Sequence, residues 1–196
     1  MPTYHLTTPL EEDAVRGLNI GDVIYLSGHL FTARDMAHLK IRGLCEAGTP
    51  LPKAFSGAAV FHAGPVALKN DDGSWRLNVI GPTTSIRMEP YADMVGQLGV
   101  RAVIGKGGMG EGTLQACARW GYVYLQAAPG CAAKLAQGIA QIHDVTWLEL
   151  GMPEAVWDLQ AEEFGPLVVG MDTHGGSIYA DLRKAALARI DARYPA

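Results

Sequence analysis

The sequence has no long hydrophobic run, no excess of basic residues and no beginning that resembles a signal peptide. No apolar stretch approaches the roughly 18 residues that a membrane-spanning helix needs, and the first residues lack a basic region followed by an apolar one. Lysine and arginine number 16 against 20 aspartate and glutamate residues, without a basic cluster of the kind that contacts nucleic acid. These absences predict a cytoplasmic protein that binds neither membranes nor nucleic acids.

Cysteine is scarce. Cys45, Cys117 and Cys131 are the three cysteines, and none belongs to a C-x-x-C pair. Three thiols could hold an iron-sulfur cluster, but Cys45 and Cys117 fall in helical patterns, where a free cysteine behaves as a small buried hydrophobe. Cys131 stands where a helix would begin, which could activate its thiol in part. We interpret all three as structural and predict no metal site in this chain.

What the sequence does contain is an alternation of strand and helix patterns. Its 196 residues, 48% of them hydrophobic, suit one domain, which we predict to cover residues 1–196. Strand patterns are predicted at 22–28, 58–61, 66–68, 75–80, 100–104, 122–126, 145–150 and 167–171, and helical patterns at 32–47, 88–98, 112–120, 131–139 and a C-terminal tail from about 181 to 194. Short early strands followed by strand-helix-strand units indicate an α/β fold with a mixed sheet and flanking helices.

A glycine-rich loop, VIGKGGMGEGT at 103–113, follows one of these strands. A phosphate-binding P-loop needs a lysine where this sequence has Glu111 and a hydroxyl where it has Gly112. The carboxylate would repel a nucleotide's phosphates, so nucleotide binding is disfavoured. The backbone N–H groups and Lys106 could still bind a small anion, or the glycines could serve only a tight turn.

Two other strand-to-helix junctions carry cations. Arg87 lies in GPTTSIRM (81–88), and Arg34 lies in TARDMAH (32–38), four residues before His38. A cation in a first helical turn opposes the helix dipole unless an anion is nearby. The plainer alternatives are helix-capping hydroxyls, a local Arg34–Asp35 salt bridge and a buried imidazole. Taken with Lys106, however, the two arginines suit a dicarboxylate, because such sites gather at the ends of strands in α/β folds.

Two segments carry further histidines. His62 lies on the turn FHAGP (61–65), and Asp172 and His174 belong to DTHGGS (172–177). Neither segment has metal-ligand spacing. Asp172 and His174 are left as structural or interfacial residues.

Five segments together resemble a known family. They are FHAGP at 61–65, GPTTSIRM at 81–88, GKGGMG at 105–110, ELGMPEAVW at 149–157 and DTHGGS at 172–177. In this order they resemble the beta subunit of iron-sulfur hydro-lyases, which include class I fumarate hydratase and L(+)-tartrate dehydratase. The resemblance implies a swivelling β/β/α domain, as in the C-terminal part of class I fumarases.

The resemblance also implies a mechanism shared between two chains. A [4Fe-4S] cluster would be bound by a partner alpha subunit and not by the cysteines of this chain. Thr83 would take part in proton transfer next to a substrate carboxylate. Substrate carboxylates would be bound by Arg34, Arg87 and Lys106, and the site would be surrounded by His38, His62 and Thr84.

Malate and fumarate are the first choice of substrate, because ARDMAH at 33–38 resembles the fumarase form. Tartrate dehydration to oxaloacetate is the alternative. Two other functions stay open: an anion-binding module without catalysis, and an assembly subunit that docks through the apolar stretch 150–157. We expect a heteromer with two copies of each subunit, and a homodimer when the chain is alone.

Overall fold

The computed structural model describes residues 1–194, so the last two residues of the predicted 1–196 domain lie outside the described part. The strands are β1 (Thr3–Thr7), β2 (Val23–Thr32), β3 (Ala59–Phe61), β4 (Val66–Lys69), β5 (Trp75–Val79), β6 (Ala102–Gly105), β7 (Val123–Ala127), β8 (Ile139–Thr146) and β9 (Val156–Met171). The α-helices are α1 (Glu12–Arg16), α2 (Asp35–Glu46), α3 (Ala92–Gln97), α4 (Glu111–Trp120), α5 (Ala132–Ala136) and α6 (Ile178–Arg193). Two 3-10 helices span Ser85–Tyr91 and Leu148–Leu150.

A mixed seven-stranded sheet in the order β1-β2-β3-β6-β7-β9-β8 forms the centre. Strands β1, β2, β3, β6 and β7 are parallel, whereas β9 is antiparallel to β2, β7 and β8. Because β9 pairs with both β2 and β7, the strands β2, β3, β6, β7 and β9 close into a ring, and none of these five is left at an edge of the sheet. The predicted mixed sheet with flanking helices is confirmed.

Alternate residues of the parallel strands enter two different hydrophobic cores. Phe61 and Ile104 belong to the core inside the ring, and Val60 and Val103 belong to the core between the sheet and the helices. Side chains of a strand alternate between its two faces, so strands covered on both faces are apolar throughout. The short apolar runs at β3, β6 and β7 therefore predict strands from the sequence alone.

The chain departs from the predicted elements between α5 and β9. The helix predicted at 131–139 ends at Ala136, and β8 begins at Ile139. The strand predicted at 145–150 ends at Thr146 and gives way to a 3-10 helix. Strand β9 begins at Val156, eleven residues before the predicted start at 167. Its pairing with β2 and β8 stabilises a strand that contains Gly165 and Pro166, which local propensity disfavours.

Other predicted details are corrected as well. The helix predicted at 32–47 begins at Asp35, because Thr32 ends β2. The Thr32 hydroxyl oxygen lies 3.2 Å from the Ala155 carbonyl and 3.0 Å from the Trp157 backbone nitrogen. Cys117 is buried as expected, but Cys45 is exposed. The C-terminal tail is helical as predicted, and α6 begins three residues earlier, at Ile178. Within residues 1–194 no helix has the length and apolarity to cross a membrane.

Candidate active site

The backbone brings the segments that carry Thr83 and Lys106 together at one edge of the sheet. The Thr83 N–H donates to the His62 carbonyl over 2.7 Å, just past the end of β3. The Lys106 N–H donates to the Thr83 carbonyl over 3.3 Å, and the Ser85 N–H donates to the Lys106 carbonyl over 3.1 Å. Because β3 and β6 are neighbouring parallel strands, their carboxyl ends meet where ligand sites of α/β folds usually form.

Arg87 joins Thr83 to the start of α2. Its Nη2 donates to Thr83 Oγ1 over 3.1 Å, and its Nε and Nη2 donate to the two carboxylate oxygens of Asp35, each over 2.9 Å. This two-point contact is the geometry that a planar guanidinium offers to a carboxylate. The hydrogen bonds from Arg87 hold the pKa of Asp35 below its ordinary value, and Asp35 raises the pKa of Arg87.

Arg34 is tied to a different carboxylate. Its Nη2 lies 3.1 Å from Glu154 Oε1, and Glu154 Oε2 accepts the Met36 N–H over 3.0 Å. Glu154 thus supplies a negative charge to the N-terminus of α2, where Arg34 is the N-cap residue and not part of the first turn. The alternative of a local Arg34–Asp35 salt bridge is wrong, since Asp35 pairs with Arg87. Arg34 Nε is buried and has no hydrogen-bond partner within residues 1–194.

The glycine loop serves mainly to begin α4. Gly107 and Gly108 have positive φ angles of 80° and 78°, which favour glycine. The N–H groups of Gly110 and Thr113 donate to the carboxylate of Glu89 over 2.7 and 2.9 Å. These two amides therefore bind an internal carboxylate and are not free to bind the small anion that the sequence suggests for this loop.

Lys106 is the part of the glycine loop that stays available for a ligand. Its side chain is partly exposed, and no ion pair involves it among the residues that the structure describes. Its backbone is fixed on both sides by the hydrogen bonds to Thr83 and Ser85. The site can therefore present an unpaired ammonium group next to the Thr83 segment.

His38 and His62 lie beneath the site and are buried. Their rings are 5.3 Å apart in an edge-to-face arrangement. The His38 Nδ1–H donates to the Arg34 carbonyl over 2.8 Å, because a carbonyl can only accept. Burial lowers the pKa of His38 to about 4 and the pKa of His62 well below its ordinary value. Both imidazoles are therefore neutral near neutral pH.

Ser85 connects His62 to the glycine loop, a role that no pattern in the sequence predicts. Its hydroxyl is buried, lies 3.0 Å from His62 Nδ1 and accepts a hydrogen bond from the Tyr124 hydroxyl over 3.1 Å. A Cβ atom at Gly105 would come within 1.8 Å of Ser85 Oγ, so residue 105 has to be glycine for this approach. Thr84, by contrast, is exposed.

The sequence also does not predict the pairings of Asp35 with Arg87, of Glu89 with the loop amides and of Glu154 with Arg34. Each carboxylate meets its partner through the fold and not through sequence spacing, so a single sequence offers no signal for these pairs. The structure brings together Thr83, Arg87 and the backbone of Lys106, and connects Arg34 to them through α2 and Asp35.

Asp172 organises a loop. Its Oδ1 accepts the N–H groups of His174 and Gly176 over 2.9 and 2.8 Å, and its Oδ2 accepts the Ile20 N–H over 3.1 Å. These bonds give the buried carboxylate a structural role. The side chain of His174 is exposed.

The cysteines do not form a ligand set. Cys45 is exposed on α2, Cys117 is buried in α4 and Cys131 is exposed before α5. Burial raises the pKa of the Cys117 thiol, which disfavours its thiolate. Across residues 1–194 no three His, Cys, Asp or Glu side chains lie together in a way that could hold a metal ion.

The site lies on an open surface. Arg87 keeps 42% of its side chain exposed. The exposed large hydrophobic residues Met36, Leu39 and Ile86 belong to α2 and the 3-10 helix that carry Asp35 and Arg87. A cleft of about 410 Å³ lies elsewhere, between the β4–β5 hairpin and β8. The arrangement can bind an anion and present a hydroxyl, but this chain does not enclose a ligand there.

Residues 3–182 match the family model described as Fumarase C-terminus. The chain belongs to this family. It is 43% identical to "L(+)-tartrate dehydratase subunit beta" of Escherichia coli K12, over 95% of this chain and 91% of the relative. It is also 43% identical to "Putative L(+)-tartrate dehydratase subunit beta" of Methanocaldococcus jannaschii, over 93% of this chain and 94% of the relative.

A longer relative belongs to the comparison as well. The chain is 42% identical to "Putative fumarate hydratase class I" of Geobacillus stearothermophilus, over 94% of this chain but only 35% of that protein. This Fumarase C-terminus chain therefore resembles both a separate subunit and part of a longer polypeptide. The relationships confirm the family and the enzyme class, a hydro-lyase, that the sequence predicts.

Proposed function

We propose that this chain is the beta subunit of a hydro-lyase that dehydrates a four-carbon hydroxy-dicarboxylate at a site shared with an alpha subunit. The observation that carries the proposal is the 3.1 Å hydrogen bond from Arg87 Nη2 to Thr83 Oγ1, on an open surface beside Lys106. It places a hydroxyl that can exchange a proton next to groups that can bind a carboxylate.

Thr83 is the residue for proton transfer. A threonine hydroxyl loses its proton far above neutral pH, so it is a poor base without help. The guanidinium that donates to Oγ1 favours the negatively charged form of the oxygen. A carboxylate of the alpha subunit would exchange the proton with the Thr83 hydroxyl, since efficient proton transfer needs a group with a pKa closer to the working pH.

The cations bind the substrate's carboxylates. Arg87 Nη1 has no hydrogen-bond acceptor within the described residues, so it can reach a ligand while Nε and Nη2 stay on Asp35. Lys106 offers a point charge and Arg34 a second guanidinium. His38, His62 and Thr84 surround these groups and act as supporting residues without direct contact to substrate.

The [4Fe-4S] cluster that the family implies belongs to the alpha subunit in this proposal. Cys45, Cys117 and Cys131 lie on separate elements, and this chain therefore does not fit the role of cluster ligand. The open surface supports a second chain, because exposed apolar residues beside a polar site mark an interaction surface. Met36, Leu39 and Ile86 are 45%, 43% and 48% exposed.

The substrate is malate or L(+)-tartrate. The relatives of similar length are named for tartrate and the longer one for fumarate, at nearly equal identity. Tartrate carries one more hydroxyl than malate. A site with a hydrogen-bond partner for that hydroxyl would reject malate strongly, whereas a site without one would discriminate weakly. Malate remains the first substrate to test, because of the ARDMAH segment.

The test is reconstitution under anaerobic conditions. The chain is purified alone and with its alpha subunit, and dehydration of malate and L(+)-tartrate is followed side by side. Activity in the pair alone is expected, and the faster acid identifies the enzyme. Thr83→Val should lower kcat by about a hundredfold or more, the usual contribution of a positioned proton-transfer group. The control Thr49→Val removes an exposed hydroxyl beyond α2 and should not change kcat.

A pair that carries an intact cluster and dehydrates neither acid would refute the proposal. Calorimetry of the chain alone with ATP then tests the anion-binding module. If the wild-type pair is active, an Arg87→Ala variant of full activity would instead favour a subunit that only docks. Sedimentation of the chain alone tests the expected homodimer.

A further inference from the structure

The hydrogens of the Arg87 guanidinium are divided unequally. Its Nε–H and one Nη2 hydrogen go to Asp35, and the second Nη2 hydrogen goes to Thr83. Both Nη1 hydrogens are without an acceptor in the described residues. Since the guanidinium is planar and rigid, fixing the Nε–Nη2 edge also fixes the direction of every remaining hydrogen.

Asp35 is well placed to fix that edge. It is the first residue of α2, and the turn around it is held by the bond from the Met36 N–H to Glu154 and the bond from His38 to the Arg34 carbonyl. Arg87 itself stands on a 3-10 helix at the surface, with 42% of its side chain exposed. A long side chain at such a position would populate several rotamers without a two-point partner.

We propose that Asp35 is a positioning residue that acts through Arg87. Its carboxylate takes the Nε–Nη2 edge, aims the second Nη2 hydrogen at Thr83 Oγ1 and leaves Nη1 as the Arg87 nitrogen that meets a substrate carboxylate. The inference rests on the proposed roles of Thr83 and Arg87.

Asp35 therefore lets the two terminal nitrogens of Arg87 serve different tasks. A substrate carboxylate that took the Nε–Nη2 edge would displace Asp35 and draw Nη2 away from Thr83. With Asp35 in place, Nη2 serves the hydroxyl that exchanges a proton and Nη1 serves binding. Loss of Asp35 should therefore damage proton transfer while the positive charge that attracts the substrate remains.

The main test is Asp35→Asn in the reconstituted complex. The amide keeps the shape of the side chain but turns an N–H₂ group toward an Arg87 N–H. One of the two hydrogen bonds between residue 35 and Arg87 is therefore lost. We expect kcat to fall by about tenfold or more, with KM unchanged or lower because a negative charge has been removed. In an Arg87→Lys background, where no fork can form, Asp35→Asn should change kcat by less than about twofold.

A matched control and a direct readout complete the design. Asp93 accepts two bonds from Arg119 over 3.1 and 3.0 Å on the α3–α4 side of the molecule, so Asp93→Asn breaks a similar pair away from the site and should leave kcat unchanged. In the chain alone, the ¹⁵N NMR signal of the Arg87 Nε–H should exchange slowly with water, and Asp35→Asn should speed this exchange.

The outcomes separate this inference from the proposed function. An inactive wild-type complex would refute the proposed function, and the NMR exchange on the chain alone would still decide whether Asp35 holds Arg87. The inference is overturned by any of three results: wild-type kcat in Asp35→Asn, an equal loss in the Arg87→Lys background, or unchanged exchange of the Arg87 Nε–H.

Discussion

Mild acid should destabilise this protein through its two buried imidazoles. Desolvation lowers the pKa of His38 from 6.5 to about 4, against an opposing effect of its bond to the Arg34 carbonyl and of Asp35. Desolvation also lowers the pKa of His62 well below 6.5, reinforced by His38 and Arg87. Because both folded-state values are lowered, the unfolded chain binds more protons. The stability that these groups contribute is complete above pH 6.5 and is lost as the pH falls.

The size of the effect follows from the number of protons taken up on unfolding. Each imidazole that is neutral in the fold and charged in the unfolded chain changes the free energy of unfolding by about 1.4 kcal/mol per pH unit. Two of them should remove about 2 kcal/mol between about pH 6 and about pH 5. A typical domain has only about 5 to 15 kcal/mol, so the loss is large. The carboxyl groups with lowered pKa, Asp35 among them, start from 3.8 or 4.5 and act mainly below this window.

Urea unfolding of the chain at the two pH values measures this loss. His62→Gln should reduce it by about half, because one of the two titrating groups is gone. His174→Gln, which replaces an exposed histidine, serves as the control and should preserve the full difference. A wild-type difference below about 0.5 kcal/mol, or an undiminished difference in His62→Gln, would refute the reasoning.

Two further predictions concern the supports of the site. Glu89→Gln should lower the free energy of unfolding by about 1 to 2 kcal/mol, because the N–H groups of Gly110 and Thr113 lose a charged acceptor. Urea unfolding measures this change. The control Glu162→Gln alters an exposed carboxylate and should leave the free energy of unfolding unchanged. Gly105→Ala should cost about 1 to 3 kcal/mol, because the new Cβ would collide with Ser85 Oγ. The matched Gly43→Ala in α2, where nothing lies within 4 Å, should be neutral or stabilising, and equal stability of the two alanine variants would contradict the argument.

The sequence predicts the parts of the fold that local pattern determines. β3, β6 and β7 are buried on both faces, so their apolar runs stand out. β9 could not be recognised over its full length, because Glu162, Glu163 and the Gly165–Pro166 pair interrupt the pattern and only pairing with β2 and β8 makes the segment a strand. A propensity argument weighs local residues, whereas this strand depends on partners far along the chain.

The same distinction holds for the site. Thr83 and Arg87 are four residues apart, so one motif could place them together, and the structure joins them directly. Asp35 is 52 residues from Arg87, and the Met36 N–H is 118 residues from Glu154. The carboxylates that hold the two arginines are thus a property of the fold. The sequence therefore indicated which cations could bind substrate but not which of their hydrogens are free to do so.

The charges of these residues support the proposal that the site is shared with a second chain. Arg34 is paired with Glu154 and Arg87 with Asp35, so the two arginines, their two carboxylates and Lys106 together carry one net positive charge. A dicarboxylate brings two negative charges, and binding a charge without compensation in a site shielded from water is costly. If the proposed function is correct, this surface alone should attract the substrate weakly, and we expect the remaining positive charge to come from the alpha subunit. The open position of Arg87, its unpaired Nη1 and the exposed apolar residues on α2 are what we expect of a site that a second chain completes.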